Sequence, residues 1–390
     1  MSKAVCLKDK INKSNKLIIG LNSGTSADGI DVALVRITGD GPSSRVKYIA
    51  GKTYAFHHSL GLKIKKYAEP DFDSGRRWLE LDVDLADHFS RAVLRLISSV
   101  GMKATGIDLI GSHGQTIRHL PSGKFGAMTY QLADPGRIAV KTGIITVGDF
   151  RIADAAAGGQ GAPITPLVNA ILFGRRGKRI GILNIGGIAN ITRITSNAKP
   201  YKIFGCDTGP GNMLVDYLAR KLFKKPIDTD GKIAGSGTAR KAVINPILAR
   251  KFFVRKGPKS AGREDFGTDF GERFVELCRK KKLDKFDTMA TAARLTIEAV
   301  KRCIKLNKLR FDELILTGGG VKNQYFKKEL ARLLPSTRLA LVSDYGYPED
   351  YLEAISFAVL ANEALCSNRY LLKHATGARK AVVLGKICQS

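Results

Sequence analysis

Three groups of residues in this chain have types and spacings suited to chemistry. Asp207 stands where the apolar run Ile203-Phe204-Gly205-Cys206 gives way to Thr208-Gly209-Pro210-Gly211, so a carboxylate is presented at a predicted strand end with no helix to bury it. An aspartate with a pKa of about 3.9 is ionised at neutral pH and can take a proton. The competing reading is an Asp that structures the turn ahead of a helix starting at Asn212. Gly24-Thr25-Ser26 forms a small glycine turn with hydroxyls, the composition that lets backbone N–H groups approach a phosphate, although the same composition also closes ordinary hairpins. Ser112-His113-Gly114-Gln115-Thr116-Ile117-Arg118-His119 is polar for a segment that follows the apolar run Ile107 to Ile110. It reads as a ligand-binding loop, against the alternative of a satisfied structural histidine. Glu353, in a predicted helix from Pro348 to Leu365, reads by itself as an exposed charge.

Familiar nucleotide motifs do not account for these groups. Gly51-Lys52-Thr53 has the ending of a P-loop, but Val46 occupies the position of its first glycine. Gly158-Gly159-Gln160-Gly161 and Gly318-Gly319-Gly320 miss the dinucleotide-binding spacing. The cysteines at 6, 206, 278, 303, 366 and 388 form no CxxC pair and no zinc-site spacing with histidine, so free thiols in a reducing compartment are expected.

The elements that must position these residues follow from hydrophobic pattern. Leu17 to Leu21 and Val32 to Ile37 are predicted strands flanking the turn Ser23 to Gly29. Leu79, Val83, Ala86, Phe89, Val93, Leu96 and Val100 recur at helical spacing and predict a helix covering the first sheet. After Asp149-Phe150-Arg151 comes a small-residue stretch, Ala155 to Ala162, and Pro163 then opens a predicted helix through Leu172; the domain change is placed here. The second half repeats the opening theme. Arg179 to Ile185 is a strand, Gly186-Gly187 a turn and Ile188 to Ile194 a returning strand, so both halves begin with a glycine-bent hairpin, as related halves facing one cleft would. Leu314-Ile315-Leu316 leads into Thr317-Gly318-Gly319-Gly320 and a further helix.

With 390 residues the chain is long enough for two cores. Its 44% hydrophobic and 25% charged residues are those of a globular protein. Residues 1–16 lack an apolar signal-peptide core and Leu17 to Leu21 is too short to span a bilayer, which predicts a cytoplasmic protein with no membrane partner. The net charge of +29 attracts phosphates, acidic ligands or nucleic acid without choosing among them, and a merely solvated basic surface is the reading it favours. The basic residues are spread out and lack interleaved aromatics, which argues against a nucleic-acid partner.

Taken in order, these segments resemble the anhydro-N-acetylmuramic acid kinases of the sugar kinase, heat-shock chaperone and actin superfamily. The resemblance runs from Leu17 to Ile387 through Gly20-Leu21-Asn22-Ser23-Gly24-Thr25-Ser26-Ala27-Asp28-Gly29-Ile30-Asp31, Ser112 to His119, Asp149 to Arg151, Ala157 to Pro163, Asn184 to Thr192, Asp207 to Asn212, Pro258 to Arg263, Thr317 to Asn323 and Thr376-Gly377-Ala378. It implies an α/β fold of two ribonuclease-H-like, actin-like ATPase domains around a central nucleotide cleft, with domain I at 1–155 plus 376–390 and domain II at 156–375. It implies an ATP- and Mg²⁺-dependent kinase whose partners are ATP and a small anhydro sugar, and it allows a homodimer. Gly24, Thr25, Ser26, Ala27, Asp28, Gly29, Ile30 and Asp31 would hold the phosphates with Gly186 and Gly187, and Asp28 would lie at the magnesium. Gly318, Gly319 and Gly320 would lie near the adenosine. Asp207 would be the general base with Glu353 assisting, and His113, Gln115, Arg118 and Arg151 would bind the sugar. In such enzymes one site opens the 1,6-anhydro bridge with water and phosphorylates the released oxygen.

Two residues depart from the family pattern. Asn22 replaces a methionine and Ala27 a larger apolar residue. Asn22 is also a feature of the related levoglucosan kinases, whose neutral substrate gives the alternative reading. Arg118-His119 favours the muramic acid reading, because a lactyl carboxylate needs a cationic partner; Arg137 and Arg151 are the other candidates. A non-catalytic nucleotide-dependent binding protein is the reading from another class.

Overall fold

The structure, a computed structural model, describes residues 7–24, 26–69, 71–195, 202–257 and 259–390. Its strands in chain order are β1 (Asn15–Ser23), β2 (Gly29–Thr38), β3 (Arg45–Ala55), β4 (Leu109–Leu120), β5 (Met128–Leu132), β6 (Thr146–Gly148), β7 (Arg179–Ile185), β8 (Ile188–Thr195), β9 (Lys202–Pro210), β10 (Glu313–Thr317), β11 (Arg338–Leu341) and β12 (Lys386–Cys388). They form two sheets. The first has the order β12-β6-β4-β1-β2-β3, with β5 paired to β4, and the second β11-β10-β7-β8-β9. In each, three antiparallel strands (β1-β2-β3 and β7-β8-β9) continue into parallel strands (β4 and β6, β10 and β11). The echo that the sequence carries in its two hairpins therefore extends through both sheets.

The chain divides into two compact units, residues 1–173 with 346–390, and residues 174–345. These boundaries differ from the expected 155 and 376 for a packing reason. Helix Thr165–Phe173 contacts helix Leu352–Leu365, and the latter lies on β1, β2 and β4, so both helices belong to the first unit.

In the first unit, side chains alternate across the sheet as strand geometry requires. Ile19, Leu21 and Ile110 point to the face covered by helix Gly75–Ser99. Gly20 and Gly111 point to the other face, where helix Leu352–Leu365 crosses: a Cβ on Gly20 would lie 1.8 Å from the Ala354 carbonyl oxygen, and one on Gly111 2.1 Å from that of Phe357. Helix Leu352–Leu365 is buried along its whole length except at Glu353, its second residue. Such a helix is largely apolar because it has protein on every side, and its buried Glu363 is satisfied by the Gly41 N–H.

Helix Gly75–Ser99 carries a different stripe from the expected one. Leu79 and Val83 are 64% and 37% exposed, while Leu81, Leu85, Phe89, Val93 and Leu96 face the core. In the first turns Asp82, rather than Leu79 or Val83, is turned toward the sheet side, its Oδ1 accepting from the Ala133 and Asp134 N–H groups.

In the second unit, helix Lys285–Leu306 lies against β9. Its Ala299, together with Phe253, closes on Gly209, which adopts φ +154°. Two buried thiols meet at this contact, with Cys206 and Cys303 Sγ atoms 3.5 Å apart.

Candidate active site

Asp207 lies within β9, not at its end, because pairing with β8 runs on to Pro210. The pairing skips a residue there. Ala189 opposes Gly209 and Asn190 opposes Asp207, leaving Thr208 as a bulge whose hydroxyl donates to the Ala189 carbonyl at 3.0 Å. Bulges re-aim the neighbouring side chain and bend the strand. The Asp207 carboxylate is partly buried, and its Oδ2 accepts one bond, from the Ala261 N–H at 2.8 Å, while the Asp207 N–H donates to the Lys259 carbonyl at 2.9 Å. Burial pushes its pKa up to about 6, against the lowering effect of the Ala261 N–H and the Lys259 ammonium; Asp265 pushes in the same direction as burial. A carboxylate with one free oxygen and a pKa near 6 is suited to take a proton from water at neutral pH.

The glycines of the second unit gather at the C-terminal ends of β7 and β10. Gly186 and Gly187 carbonyls accept from the N–H groups of Asn212 and Gly211, both at 2.8 Å, tying the hairpin to the start of helix Asn212–Phe223. Gly318 has φ +82° and passes so close to Asn184 that a Cβ would lie 2.2 Å from its Oδ1, and a Cβ on Gly320 would lie 2.4 Å from Ile185. The Asn184 Oδ1 is buried and finds no donor among the described residues. An unsatisfied buried acceptor beside two glycine turns is the arrangement a polar ligand completes.

In the first unit, the turn from β1 to β2 is held by an Ala27 N–H to Gly24 carbonyl bond of 3.1 Å and by Ser26 Oγ donating to Asp28 Oδ1 at 2.8 Å. A Cβ on Gly24 would meet only the Ser26 hydroxyl among the described residues, at 3.7 Å, so this side of the turn is open, while Thr25 lies outside the described residues. The rest of the expected phosphate segment is divided between roles. Ala27 and Ile30 are core residues, and Gly29 is needed because a Cβ there would lie 2.7 Å from the Tyr54 carbonyl of β3. Asp31 hydrogen-bonds the Thr53 hydroxyl at 2.7 Å, and its pKa is raised by burial and by the charges of Asp28 and Asp350. Carboxylates gathered this closely around Asp31 suit a hard divalent cation, and Mg²⁺ takes one or two of them. Among the described residues no group of three metal ligands occurs.

A polar cluster of the first unit surrounds Glu353. Asn22 donates to Glu353 Oε2 at 2.7 Å, so the residue that departs from the family pattern fixes the carboxylate. Glu353 remains reachable by solvent in crowded surroundings; burial raises its pKa, offset by the Asn22 bond, with Asp31 adding to the rise and Arg151 opposing it. Arg151 Nε and Nη2 donate to His113 Nε2 at 3.1 and 2.9 Å, and His113 stacks on Phe357 with ring centres 4.5 Å apart.

Two expected sugar-binding residues point elsewhere. Gln115 is 1% exposed; its Oε1 accepts from Ser23 Oγ at 2.6 Å and its Nε2 donates to the Gly24 carbonyl at 3.3 Å, so it braces the glycine turn. Arg118 donates to the carbonyls of Ala68 at 2.7 Å, Phe72 at 2.6 Å and Glu69, closing the end of helix His58–Tyr67, and lies over the Trp78 ring. Arg118→Met is therefore expected to lower stability by about 2 kcal/mol in urea titrations, the value of charge-assisted bonds to carbonyls. KM for any acidic sugar should stay unchanged; a tenfold rise in KM would return Arg118 to the substrate.

The family model for anhydro-N-acetylmuramic acid kinase matches residues 16–390. The chain belongs to that family. Among the anhydro-N-acetylmuramic acid kinases, the protein of Caldanaerobacter subterraneus subsp. tengcongensis is 36% identical over 386 residues, covering 96% of this chain and 98% of the relative. That of Salinibacter ruber is 37% identical over 383 residues, covering 96% of each. Of solved structures, the Acidaminococcus fermentans (R)-2-hydroxyglutaryl-CoA dehydratase component A aligns with 90% of this chain and 99% of its own at 13% identity and a TM-score of 0.46. As a member of the anhydro-N-acetylmuramic acid kinase family the chain is a phosphotransferase.

Several residues that hold these sites were not singled out from sequence for the roles they have here. Lys259 and Ala261 secure Asp207 from more than fifty positions away. Asp154, 1% exposed, accepts from the Gly161 N–H at 2.8 Å and the Thr376 hydroxyl at 2.7 Å, tying the small-residue stretch to the C-terminal segment. The order of family motifs was the only signal for Lys259 and Ala261, and Asp154 had none. No helix among the described residues is long and apolar enough to cross a membrane.

Proposed function

We propose that the chain is a cytoplasmic ATP-dependent kinase that opens the 1,6-anhydro bridge of anhydro-N-acetylmuramic acid and phosphorylates O6, giving N-acetylmuramic acid 6-phosphate and ADP for cell-wall sugar recycling. The observation that carries this reading is Asp207, a carboxylate beside the Thr208 bulge with a pKa near 6 and one oxygen free of backbone donors.

In this mechanism Asp207 takes a proton as water attacks C1. The C1–O6 bond breaks, O6 attacks the γ-phosphorus, and the bond to ADP breaks. Glycoside hydrolases employ a second carboxyl group to protonate the leaving oxygen; here the phosphoryl group takes the place of that proton, so one base suffices. Gly24, Ser26, Gly186 and Gly187 would face the phosphates, and Gly318 to Gly320 the adenosine. Asp28, with Asp31 beside it, would hold Mg²⁺, which supplies positive charge for the transferring phosphoryl group. Glu353, fixed by Asn22, would contact the sugar.

The test is incubation with ATP and Mg²⁺ in ¹⁸O-labelled water, with anhydro-N-acetylmuramic acid or levoglucosan. A sugar 6-phosphate carrying one ¹⁸O on the sugar and none on the phosphate is expected. ADP formed without any phosphorylated sugar would overturn the kinase reading, and nucleotide binding without turnover would leave the non-catalytic one.

A further inference from the structure

We propose that Arg151, held in place by His113, is the residue that recognises the carboxylate of an acidic anhydro sugar and so sets preference for it over neutral ones. This rests on the kinase reading above and names the group that chooses its substrate.

Arg151 is a partly buried guanidinium that forms no ion pair with any carboxylate among the described residues. Its Nε and one N–H of Nη2 are taken by a neutral acceptor, His113 Nε2, which leaves Nη1 and the other Nη2 proton. Glu353 is near enough to act on its charge but makes no contact within ion-pair distance. Burial disfavours the charge, as expected of a cation whose counter-ion is missing. An unpaired guanidinium with a free pair of donors is shaped for a carboxylate. A second polar atom nearby is also unsatisfied: His119 Nδ1 is buried without a partner among the described residues, and burial, with the Arg151 charge adding to it, lowers the pKa of that ring.

His113 is the positioning residue. Its Nδ1 lies 3.2 Å from the Gly114 carbonyl, an acceptor, so Nδ1 carries the proton and Nε2 presents its lone pair to Arg151. Burial and the Arg151 charge lower its pKa to about 3, so the ring stays neutral and keeps that role across the working pH range. Stacking on Phe357 fixes the plane of the ring. Arg118, the other cation of this segment, is committed to backbone carbonyls.

The substrate-side test needs no mutation. The wild-type protein is assayed with anhydro-N-acetylmuramic acid, its methyl ester, and 1,6-anhydro-N-acetylglucosamine, which lacks the lactyl group. The acid should exceed both in kcat/KM by roughly 100-fold or more, since a site built to pair a polar group can reject an analogue lacking it by about 10⁴–10⁵-fold. Arg151→Gln should bring the three substrates within about threefold of one another by lowering only the value for the acid. His113→Leu should raise KM for the acid with little change in kcat, while His113→Gln, whose amide oxygen can still accept from Arg151, should restore it. Equal use of acid and ester by the wild type, or an Arg151→Gln loss shared by all three sugars, overturns the proposal while leaving the kinase reading intact. No turnover of any of them overturns the kinase reading itself.

Discussion

Asp207→Asn is expected to cut turnover by roughly a thousand-fold or more, with both bridge opening and phosphoryl transfer lost and ATP affinity retained, because a general base typically contributes 10²–10⁴-fold. The wild-type pH profile provides a second reading of the same group. With its pKa held near 6 by burial, the base is deprotonated above that pH, so kcat/KM should rise through about pH 6 and then level off. The acid limb should vanish in the residual activity of the variant. Stability moves the other way. The folded-state pKa lies above the ordinary 3.8, so the native state binds more protons than the unfolded chain between these values, and Asp207 removes stability as pH rises from about 4 through about 6. The asparagine variant, still able to accept from the Ala261 N–H, should therefore melt at or above the wild-type temperature at pH 7.5. Unchanged turnover in a folded variant, or a profile flat down to pH 4.5, would remove Asp207 from the chemistry.

Gly20→Ala is the substitution expected to do most damage to the first unit. The new methyl carbon would lie 1.8 Å from the Ala354 carbonyl oxygen, 2.7 Å from the Ala354 carbonyl carbon and 2.9 Å from the Ala358 nitrogen. All are backbone atoms of one buried helix, so no side chain can rotate aside and the helix must lift from the sheet. Overpacking of side chains alone costs about 1–3 kcal/mol, and a backbone clash belongs at or beyond the top of that range. Helix Leu352–Leu365 also carries Glu353, so the 2.7 Å Asn22 bond should break and activity should fall with stability. Gly75→Ala is the control: it opens helix Gly75–Ser99 and meets nothing within 4 Å, so its effect should be neutral or stabilising by up to about 1 kcal/mol. Urea midpoints for the two variants, compared with wild type, decide the matter. A Gly20→Ala midpoint equal to that of the wild type would mean that the helix does not sit on the strand as described.

Much of the scaffold was legible in the residues. The two glycine-bent hairpins and the strand Arg179 to Ile185 follow from β-branched runs around turn formers, and the structure places them as expected. The boundaries at 173 and 346 were not legible, because they depend on which sheet the helices Thr165–Phe173 and Leu352–Leu365 choose, and both helices are apolar enough to suit either. The site divides in the same way. Asp207 is singled out by residue type and position, and Glu353, an exposed charge by local pattern, only by family order. That Arg118 and Gln115 spend their donors within the fold depends on backbone carbonyls and hydroxyls brought close only by tertiary structure. The Thr208 bulge has no sequence mark of its own, since a two-against-one pairing is a property of two strands rather than of one.

The chain order of the two units bears on how the protein is made. Residues 174–345 form one unbroken stretch, whereas the other unit needs residues 346–390 to return to strands that left the ribosome first. The later-starting unit is thus able to complete its core during translation while the earlier one waits with Gly20 and Gly111 uncovered, a nascent sheet lacking one apolar lid until synthesis is nearly finished. Premature termination just beyond residue 345 should accordingly leave one half protease-resistant and the other a substrate for chaperones.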